Sequence, residues 1–246
     1  MGSMHIDLLI LTAMHEEADA FTPHLQQVQE VESPLAAGSA ATTVTARTGL
    51  LTTANGQQVR CAQVTTGIGT APAATAATWA ILTFAPRIVI SAGSCGGLAS
   101  DINVGDVVIG ETYSYSLADA TAAGYAHGQL PGAPAVFEGH ASASAVADAV
   151  ADTGAAVRCG LMLSGDAFVT ADKAEPMREL HPSALSADME STALAHTAER
   201  FGLPFLAMRG VSDLCSPRAD EEFSIGLDAA AEASAAAVLT GADLLV

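Results

Sequence analysis

Short apolar runs alternate with helical patterns along this chain of 246 residues. Ile6 to Ala13, Arg87 to Ala92, Val157 to Ser164 and Pro204 to Val211 have the length and composition of buried strands. Between them lie stretches such as Thr70 to Phe84, in which small and apolar residues recur at helical spacing. This alternation is typical of a largely parallel sheet that is covered on both faces. We therefore predict an α/β fold of three layers, with a mixed, largely parallel, twisted central sheet flanked by helices.

The remaining elements follow the same pattern. Further strands are predicted over Thr42 to Thr48, Val59 to Thr66, Val104 to Glu111 and Ala184 to Ala187, and further helices near Glu16 and over Ser142 to Ala151, Ala171 to Leu180, Glu190 to about Phe201 and Phe223 to Leu244. Asn55-Gly56 predicts a hairpin between the first two of these strands. Ala118 to Pro134 is predicted as a loop, and Ser33 to Ala46 as a variable surface loop with part of a strand. A loop as long as the first is usually functional or interfacial.

Length and composition limit the possible classes of protein. Nothing marks a linker, so residues 4–246 are predicted to form one domain, and Met1 to Ser3 is interpreted as an expression scar. A formal charge of −18 with only nine Lys and Arg residues argues against binding nucleic acid or an anionic membrane surface. No signal peptide is recognisable, and the four cysteines are far apart. Free thiols in a reducing cytoplasm are therefore expected.

Polar or glycine-rich clusters follow several of the predicted strands. In parallel sheets, ligands bind beyond the carboxyl ends of the strands, so these clusters are expected to meet. They are Met14 to Glu17, Thr66 to Gly69, Gly93 to Gly97, Ser164 to Val169, Asp188 to Glu190, and Ser212 to Asp213.

Each cluster has a structural interpretation beside the functional one. Glu16 and Glu17 can be first-turn acids that interact with a helix dipole, and Asp188 can be an N-cap. Gly93 to Gly97 either lets backbone amides approach a ligand or forms a tight turn between strand and loop. Asp213 ends a strand in an apolar setting, which can raise the pKa of a carboxyl group and make it a proton donor.

Metal and serine-hydrolase chemistry have no support in the sequence. The seven histidines show no paired metal-ligand spacing, and no serine lies in a Gly-x-Ser-x-Gly motif. The glycine-rich segment is neither a Walker loop nor the dinucleotide-binding fingerprint. No metal site is predicted.

Several motifs occur in order along the chain and together carry a resemblance. The most specific are Gly128-Gln129-Leu130-Pro131-Gly132 and Ser164-Gly165-Asp166-Ala167-Phe168-Val169, and they are accompanied by the other strand-end clusters. From Ile6 to the final helix, the chain resembles the nucleoside phosphorylase and nucleosidase superfamily. Within it, the chain is similar to the 5′-methylthioadenosine/S-adenosylhomocysteine nucleosidases.

The resemblance implies a function and a cellular setting. Such enzymes hydrolyse the N-glycosidic bond of 5′-methylthioadenosine and S-adenosylhomocysteine in methionine salvage, releasing adenine and the thioribose product. The sugar resembles an oxocarbenium ion in the transition state, and no cofactor is expected. The resemblance also implies a cytoplasmic homodimer, in which the loop Ala118 to Pro134 of one subunit reaches the other subunit's site.

The resemblance also implies roles for individual residues. Asp213, supported by Ser212, protonates N7 of adenine, while Glu17, helped by Arg209, positions and deprotonates the attacking water. Glu190 and the backbone of Met189 hold the ribose hydroxyls. The remaining substrate-binding positions are Phe168 stacked on adenine, Val169 reading its edge through the backbone, Met14, Ile68 and Phe223 around the thioalkyl group, and Ser94 and Gly96 in the glycine-rich segment.

Some positions depart from the family pattern and keep alternatives open. Asp188 stands where Glu is common, Ala123 stands where a phenylalanine of the partner often closes the thioalkyl slot, and the loop Ser33 to Ala41 is longer than usual. A more open slot keeps a futalosine hydrolase as an alternative. A phosphorylase is disfavoured because Ser91 replaces an arginine and no Lys or Arg precedes Arg47. A non-catalytic nucleoside-binding protein is disfavoured because the carboxylates of Glu17, Glu190 and Asp213 are all present.

Overall fold

The computed structural model describes residues 5–35 and 44–246. Met1 to Ser3, most of the predicted loop Ser33 to Ala41 and the first residues of the predicted strand Thr42 to Thr48 lie outside the described residues.

The strands form one sheet. They are β1 (Leu8–Thr12), β2 (Leu25–Val31), β3 (Thr45–Thr52), β4 (Gln58–Thr65), β5 (Ile88–Gly97), β6 (Val107–Tyr115), β7 (Phe137–Glu138), β8 (Val157–Ser164), β9 (Ala184–Asp188) and β10 (Phe205–Asp213).

The helices lie between the strands and after the last one. They are α1 (His15–Asp19), α2 (Thr70–Phe84), α3 (Ala143–Ala151), α4 (Ala171–Leu180), α5 (Ser191–Arg200) and α6 (Ala219–Gly241). Short 3₁₀ turns occupy Thr22–His24, Thr121–Ala123 and Ala242–Leu244.

The sheet is mixed, and one part of it closes on itself. β1 pairs in parallel with β4 and β5, and the antiparallel strands β3 and β2 extend the sheet beyond β4. On the other side, the pairings run from β5 through β10, β6, β8 and β9 back to β5, so these strands form a ring. The predicted α/β fold with a mixed central sheet is confirmed, and the ring brings the ends of β5, β9 and β10 together.

Helices cover both faces of the sheet, and small side chains let them pack closely. On one face, α2 contributes Ala73, Ala76, Ala77 and Ala80, all fully buried. On the other face lie α3 and α6. A Cβ atom at Gly210 of β10 would lie 2.2 Å from the carbonyl oxygen of Ala230, so the backbones of β10 and α6 are almost in contact. The alanine-rich composition is therefore explained by close helix-on-sheet packing.

The last helical segment has an unusual composition. Ala219–Leu244 is long and apolar enough to cross a membrane by length and composition alone. The apolar runs recognised in the sequence are shorter and did not indicate a helix of this length and composition. Because α6 packs on β10 and β5 through its small residues, it occupies the position of a core helix.

Several features of the sheet differ from the sequence-based expectations: β7 was not predicted, and β6 begins and ends later than the predicted strand Val104 to Glu111. β2 was not predicted, because its residues are mostly polar and exposed. The predicted strand Arg87 to Ala92 does not end before the glycines: β5 continues to Gly97. The interpretation of Gly93 to Gly97 as a tight turn is wrong, since these residues pair with β10 and then with β9.

Candidate active site

One cavity of about 180 Å³ lies where β1, β5, β9 and β10 end. All of the residues assigned above to catalysis or substrate binding line it, namely Met14, Glu17, Ile68, Ser94, Gly96, Phe168, Val169, Met189, Glu190, Arg209, Ser212, Asp213 and Phe223. Asp188 and the thiols Cys95 and Cys215 are also part of the lining. The ends of the strands therefore meet in space, as the rule for parallel sheets predicts.

Glu17 links α1 to β5. Its side chain is buried, and Oε2 accepts hydrogen bonds from the backbone N–H groups of Ala13 at 2.8 Å and Met14 at 3.2 Å. Oε1 accepts from the N–H of Ser94 at 2.8 Å and from its hydroxyl at 3.0 Å. All four contacts are donors, so the ionised carboxylate, which only accepts, fits this environment. Glu16 beside it is exposed, so only Glu17 belongs to the site.

Glycines on β5 make these contacts possible. A Cβ atom at Gly93 would lie 2.3 Å from Glu17 Oε1, and the φ angle of Gly93 is +136°, which side chains rarely adopt. At Gly96, a Cβ atom would lie 2.6 Å from the sulfur of Cys215 and 3.1 Å from Oδ1 of Asp213. Side chains at Gly93 and Gly96 would therefore displace Glu17 and Asp213.

Arg209 is buried at the centre of a charged cluster. Its side chain is 1% exposed, and Nη2 lies 3.2 Å from Glu190 Oε2 while Nε lies 3.4 Å from Asp188 Oδ2. Nη1 donates to the carbonyl oxygen of Ser94 at 2.9 Å, and Nη2 donates to the hydroxyl of Ser91 at 2.9 Å. One guanidinium group thus connects β5, β9 and β10.

Arg209 forms ion pairs with Asp188 and Glu190, and Ser94 connects it to Glu17 through hydrogen bonds. The charge of Glu17 also acts on Arg209, and the expected assistance of Arg209 to Glu17 stays a prediction. Burial alone lowers the pKa of Arg209, but the neighbouring carboxylates raise it to a net value above the ordinary one. Burial raises the pKa of Glu190, and Arg209 only partly offsets this effect.

Asp188 and Glu190 also receive backbone donors at two helix starts. Oδ1 of Asp188 accepts from the N–H groups of Glu190 at 3.0 Å and Ser191 at 2.9 Å, and from the hydroxyl of Ser164 at 2.6 Å. Oε1 of Glu190 accepts from the N–H of Gly69 at 2.9 Å, where α2 begins. Asp188 therefore binds the first N–H groups of α5 and pairs with Arg209, but the N-cap of α5 is Glu190 and not Asp188 as the sequence suggested. The positive ends of both helix dipoles favour the buried anions.

Asp213 ends β10 inside the cavity. Oδ1 accepts from the N–H of Cys215 at 2.9 Å, and Oδ2 accepts from the hydroxyl of Ser212 at 3.0 Å. Burial raises the pKa of Asp213, and these hydrogen bonds only partly counteract the rise. A carboxyl group with a raised pKa is suited to donating a proton.

The apolar part of the lining is more exposed. The rings of Phe168 and Phe223 contact each other edge to face, with centroids 5.7 Å apart. Ile68 is 53% exposed and Phe168 is 41% exposed, whereas Val169 is buried. The cavity therefore combines buried acids with an open apolar side, as a ligand with a polar and an apolar end requires.

Comparisons with known proteins agree with this geometry. Residues 7–243 match the model of the phosphorylase superfamily. The chain is 37% identical over 174 residues to a 5′-methylthioadenosine/S-adenosylhomocysteine nucleosidase of Staphylococcus aureus strain JH9, over 70% of this chain and 76% of that protein. The chain belongs to this nucleosidase family.

Solved structures of nucleosidases have the same fold. The Neisseria meningitidis enzyme in complex with methylthio-immucillin-A matches with a TM-score of 0.88 and 34% identity, over 97% of this chain and 99% of that one. The Streptococcus pyogenes S-adenosylhomocysteine nucleosidase in complex with 5-methylthiotubericidin also matches with a TM-score of 0.88, at 28% identity over 100% and 99% of the two chains.

Some parts of this nucleosidase's site were not predicted. The hydroxyls of Ser91 and Ser164 and the N–H of Gly69 complete the charged cluster. Ser164 and Gly69 lie in the strand-end clusters, but a buried hydroxyl within a strand leaves no local pattern. Ala123 lies in an exposed 3₁₀ turn and is not part of the lining of this chain's own cavity.

The buried charge cluster predicts a pH-dependent loss of stability in Arg209→Met. The substitution leaves Asp188 and Glu190 without their counter-charge, and removing one partner of a buried ion pair costs about 3 to 5 kcal/mol. The folded-state pKa of Glu190 is already raised, and it rises further without Arg209. An acid with a raised folded-state pKa stabilises the folded state as the pH falls, so the deficit should narrow between about pH 8 and pH 5.5.

Urea unfolding of wild type and Arg209→Met at several pH values measures this deficit. Arg60→Met is the matched control, because Arg60 forms an ion pair with Asp7 at the surface, with its side chain 55% exposed. Exposed pairs contribute little, so the control should unfold like wild type. Equal losses in the two variants, or a deficit that does not change with pH, would contradict the prediction.

Proposed function

We propose that this nucleosidase hydrolyses the N-glycosidic bond of 5′-methylthioadenosine and S-adenosylhomocysteine, releasing adenine and the thioribose product. The observation that carries the proposal is the convergence of Glu17, Glu190 and Asp213 on one cavity that also has an open apolar side. The solved relatives bound to methylthio-immucillin-A and 5-methylthiotubericidin support the same class of ligand.

Asp213 is the proton donor in this proposal. Its proton passes to N7 of adenine while the bond between C1′ and N9 breaks, so the electron pair of that bond leaves with a neutral base. The raised pKa of Asp213 supports this role, because more of the carboxyl group remains protonated at neutral pH. The Ser212 hydroxyl then stabilises the carboxylate that forms. General acid catalysis of this kind contributes roughly 10² to 10⁴ in rate.

Glu17 accepts a proton from the attacking water, whose oxygen bonds to C1′. Three of the four donors on Glu17 are backbone N–H groups, which are fixed by β5 and by the start of α1. The fourth is the Ser94 hydroxyl, which can rotate away. We infer that the water replaces this hydroxyl as the partner of Oε1. The three N–H groups keep the carboxylate oriented before the substrate binds.

Glu190 holds the ribose hydroxyls together with the backbone of Met189. Arg209 and the N–H of Gly69 fix this carboxylate from two sides, so its orientation does not depend on the ligand. A sugar with oxocarbenium character carries positive charge, and preorganised anions nearby stabilise it.

The apolar residues select the base and the 5′ substituent. Phe168 stacks on adenine, and the backbone of Val169 reads its edge. Met14, Ile68 and Phe223 surround the thioalkyl group, while Ser94 and Gly96 lie against the ribose. The exposure of Ile68 and Phe168 supports a slot that a second subunit covers.

Hydrolysis is favoured over phosphorolysis by the charges of the cavity. Phosphate sites need arginines or a group of free backbone amides. Within residues 5–35 and 44–246, Arg209 is the only basic residue in the lining, and two carboxylates already pair with it. Ser91, at the position of a phosphorylase arginine, is fully buried and bonded to Arg209.

We further propose that the enzyme acts in the cytoplasm as a homodimer, in methionine salvage. The exposed side chains of Leu117, next to the loop Ala118 to Pro134, and of Leu130 within it support a contact between subunits there.

A product assay tests the proposed reaction directly. 5′-Methylthioadenosine, S-adenosylhomocysteine and futalosine are each incubated with the enzyme, with and without phosphate, and the released base and sugar are identified. We expect adenine from the first two substrates at the same rate in both buffers, and no release of hypoxanthine from futalosine. Cleavage only in the presence of phosphate would show a phosphorylase instead, and faster cleavage of futalosine would overturn the substrate assignment.

Asp213→Asn is expected to fold and to bind adenosine analogues but to lose most turnover, because only the transferable proton is removed. We expect kcat to fall roughly 10²-fold or more, in line with the size of general acid catalysis. Single-turnover kinetics and analogue binding by calorimetry measure the two properties separately. Turnover close to that of wild type would remove Asp213 from its role as the acid.

Glu17→Gln has a matched control in its neighbour. The amide keeps an acceptor oxygen but cannot take the proton of water, so the variant should bind substrate analogues tightly and hydrolyse them at least about 10²-fold more slowly. Glu16→Gln changes the same charge one residue earlier, on an exposed side chain, and should retain wild-type kcat. Equal kcat values for the two variants would show that Glu17 is not the base.

A further inference from the structure

The loop that follows Asp213 is held by a side chain of α6. Leu214 to Ser216 connects β10 to the region where α6 begins. Glu222, in the first turn of α6, accepts a hydrogen bond from the N–H of Leu214 at 3.2 Å through Oε2 and from the hydroxyl of Ser216 at 2.8 Å through Oε1. The two oxygens of one carboxylate thus hold the first and the last of the three loop residues.

This loop determines where the Asp213 carboxyl group points. Cys215 has a φ angle of +52°, an uncommon value for a residue with a side chain. Its N–H donates to Oδ1 of Asp213 at 2.9 Å. If the loop Leu214 to Ser216 took another conformation, the hydrogen bond from Cys215 to Asp213 would be lost. The orientation of Asp213 therefore depends on the contacts that hold the loop in place.

A second contact holds the same loop from α4. Nε of Arg178 donates to the carbonyl oxygen of Leu98 at 2.7 Å, and Nη2 donates to that of Leu214 at 3.4 Å. Leu214 therefore has its N–H fixed by Glu222 and its carbonyl oxygen contacted by Arg178. Of the two contacts, the one from Glu222 is shorter and is strengthened by the second hydrogen bond to Ser216.

The charged and titratable groups around Asp213 come from several elements. Cys95 lies on β5, Cys215 on the loop itself, Glu222 on α6 and Arg178 on α4, where it acts on Cys215. Burial is the main cause of the raised pKa of Asp213, and the negative charge of Glu222 raises it further. The thiols are neutral, so Glu222 is the nearby group whose charge opposes ionisation of Asp213.

We propose that Glu222 is a positioning residue for the acid, which holds the loop Leu214 to Ser216 so that Asp213 keeps its orientation in the cavity. Its charge has a second effect, because it favours the protonated form that the reaction needs. This inference rests on the proposed role of Asp213 as the proton donor.

Two substitutions separate the charge of Glu222 from its hydrogen bonds. Glu222→Gln removes the charge but keeps one acceptor oxygen, so the alkaline limb of the pH profile of kcat/KM should move to lower pH while the plateau stays close to wild type. Glu222→Ala removes both hydrogen bonds, so the plateau should also fall, by about tenfold, within the ~10²-fold loss that a misplacement of 1 Å can cause. Glu221→Gln, on the exposed neighbour, should change neither.

A titration without substrate tests the inference independently of turnover. The side-chain carboxyl carbon of Asp213 is followed by ¹³C NMR in wild type, Glu222→Gln and Glu221→Gln, and the signal is assigned with Asp213→Asn. We expect the pKa of Asp213 to fall in Glu222→Gln alone. An unchanged titration together with an unchanged plateau in Glu222→Ala would overturn the inference.

The same experiments distinguish this inference from the proposed function. If the titration of Asp213 shifts in Glu222→Gln while Asp213→Asn remains active, Glu222 does control the carboxyl group, but that group is not the acid. If Glu222→Ala does not fold, the Glu222→Gln variant, which keeps an acceptor for the loop, still decides the question through its titration.

Discussion

The absence of a side chain at Gly93 and at Gly96 of β5 is the constraint on which the site depends. β5 pairs with β1, β10 and β9, so it is the strand that the other parts of the site approach. Gly93 leaves the space that Glu17 occupies, and Gly96 leaves the space that Asp213 and Cys215 occupy. Two carboxylates from opposite ends of the chain can therefore reach one cavity only because β5 has no Cβ atoms at these positions.

The carboxylates of the cavity are stabilised by neighbouring groups of the protein rather than by water. Glu17, Asp188 and Glu190 are buried around Arg209, the one cation that lines the cavity in the part of the chain that the structure describes. Backbone N–H groups and the starts of α2 and α5 supply the rest of the stabilisation. This arrangement leaves excess negative charge in a place of low dielectric constant, where it favours a cationic sugar more strongly than it would in water. The low dielectric constant that makes these acids costly to bury is therefore also the property that their proposed role in catalysis uses.

The sequence predicted most of the regular elements, and the differences have local physical causes. α2, α4 and β8 have the predicted bounds. β2 was not predicted because its residues are mostly polar and exposed, and the register shift between Gln26 and Gln29 also breaks the alternation expected of a strand.

The candidate site could be located from sequence, but its internal contacts could not. The rule for strand ends identified the segments that meet, and the resemblance supplied roles. Glu17 and Ser94 are 77 residues apart, and Gly69 and Glu190 are 121 residues apart, so no local pattern could predict these hydrogen bonds.

The low dielectric constant that favours the protonated form of Asp213 acts equally on the thiols beside it: burial raises the pKa of Cys95 and raises that of Cys215 to about 12. Because thiolates are the form that oxidants and alkylating reagents attack, the surroundings that prepare the acid also keep its two sulfur neighbours chemically inert.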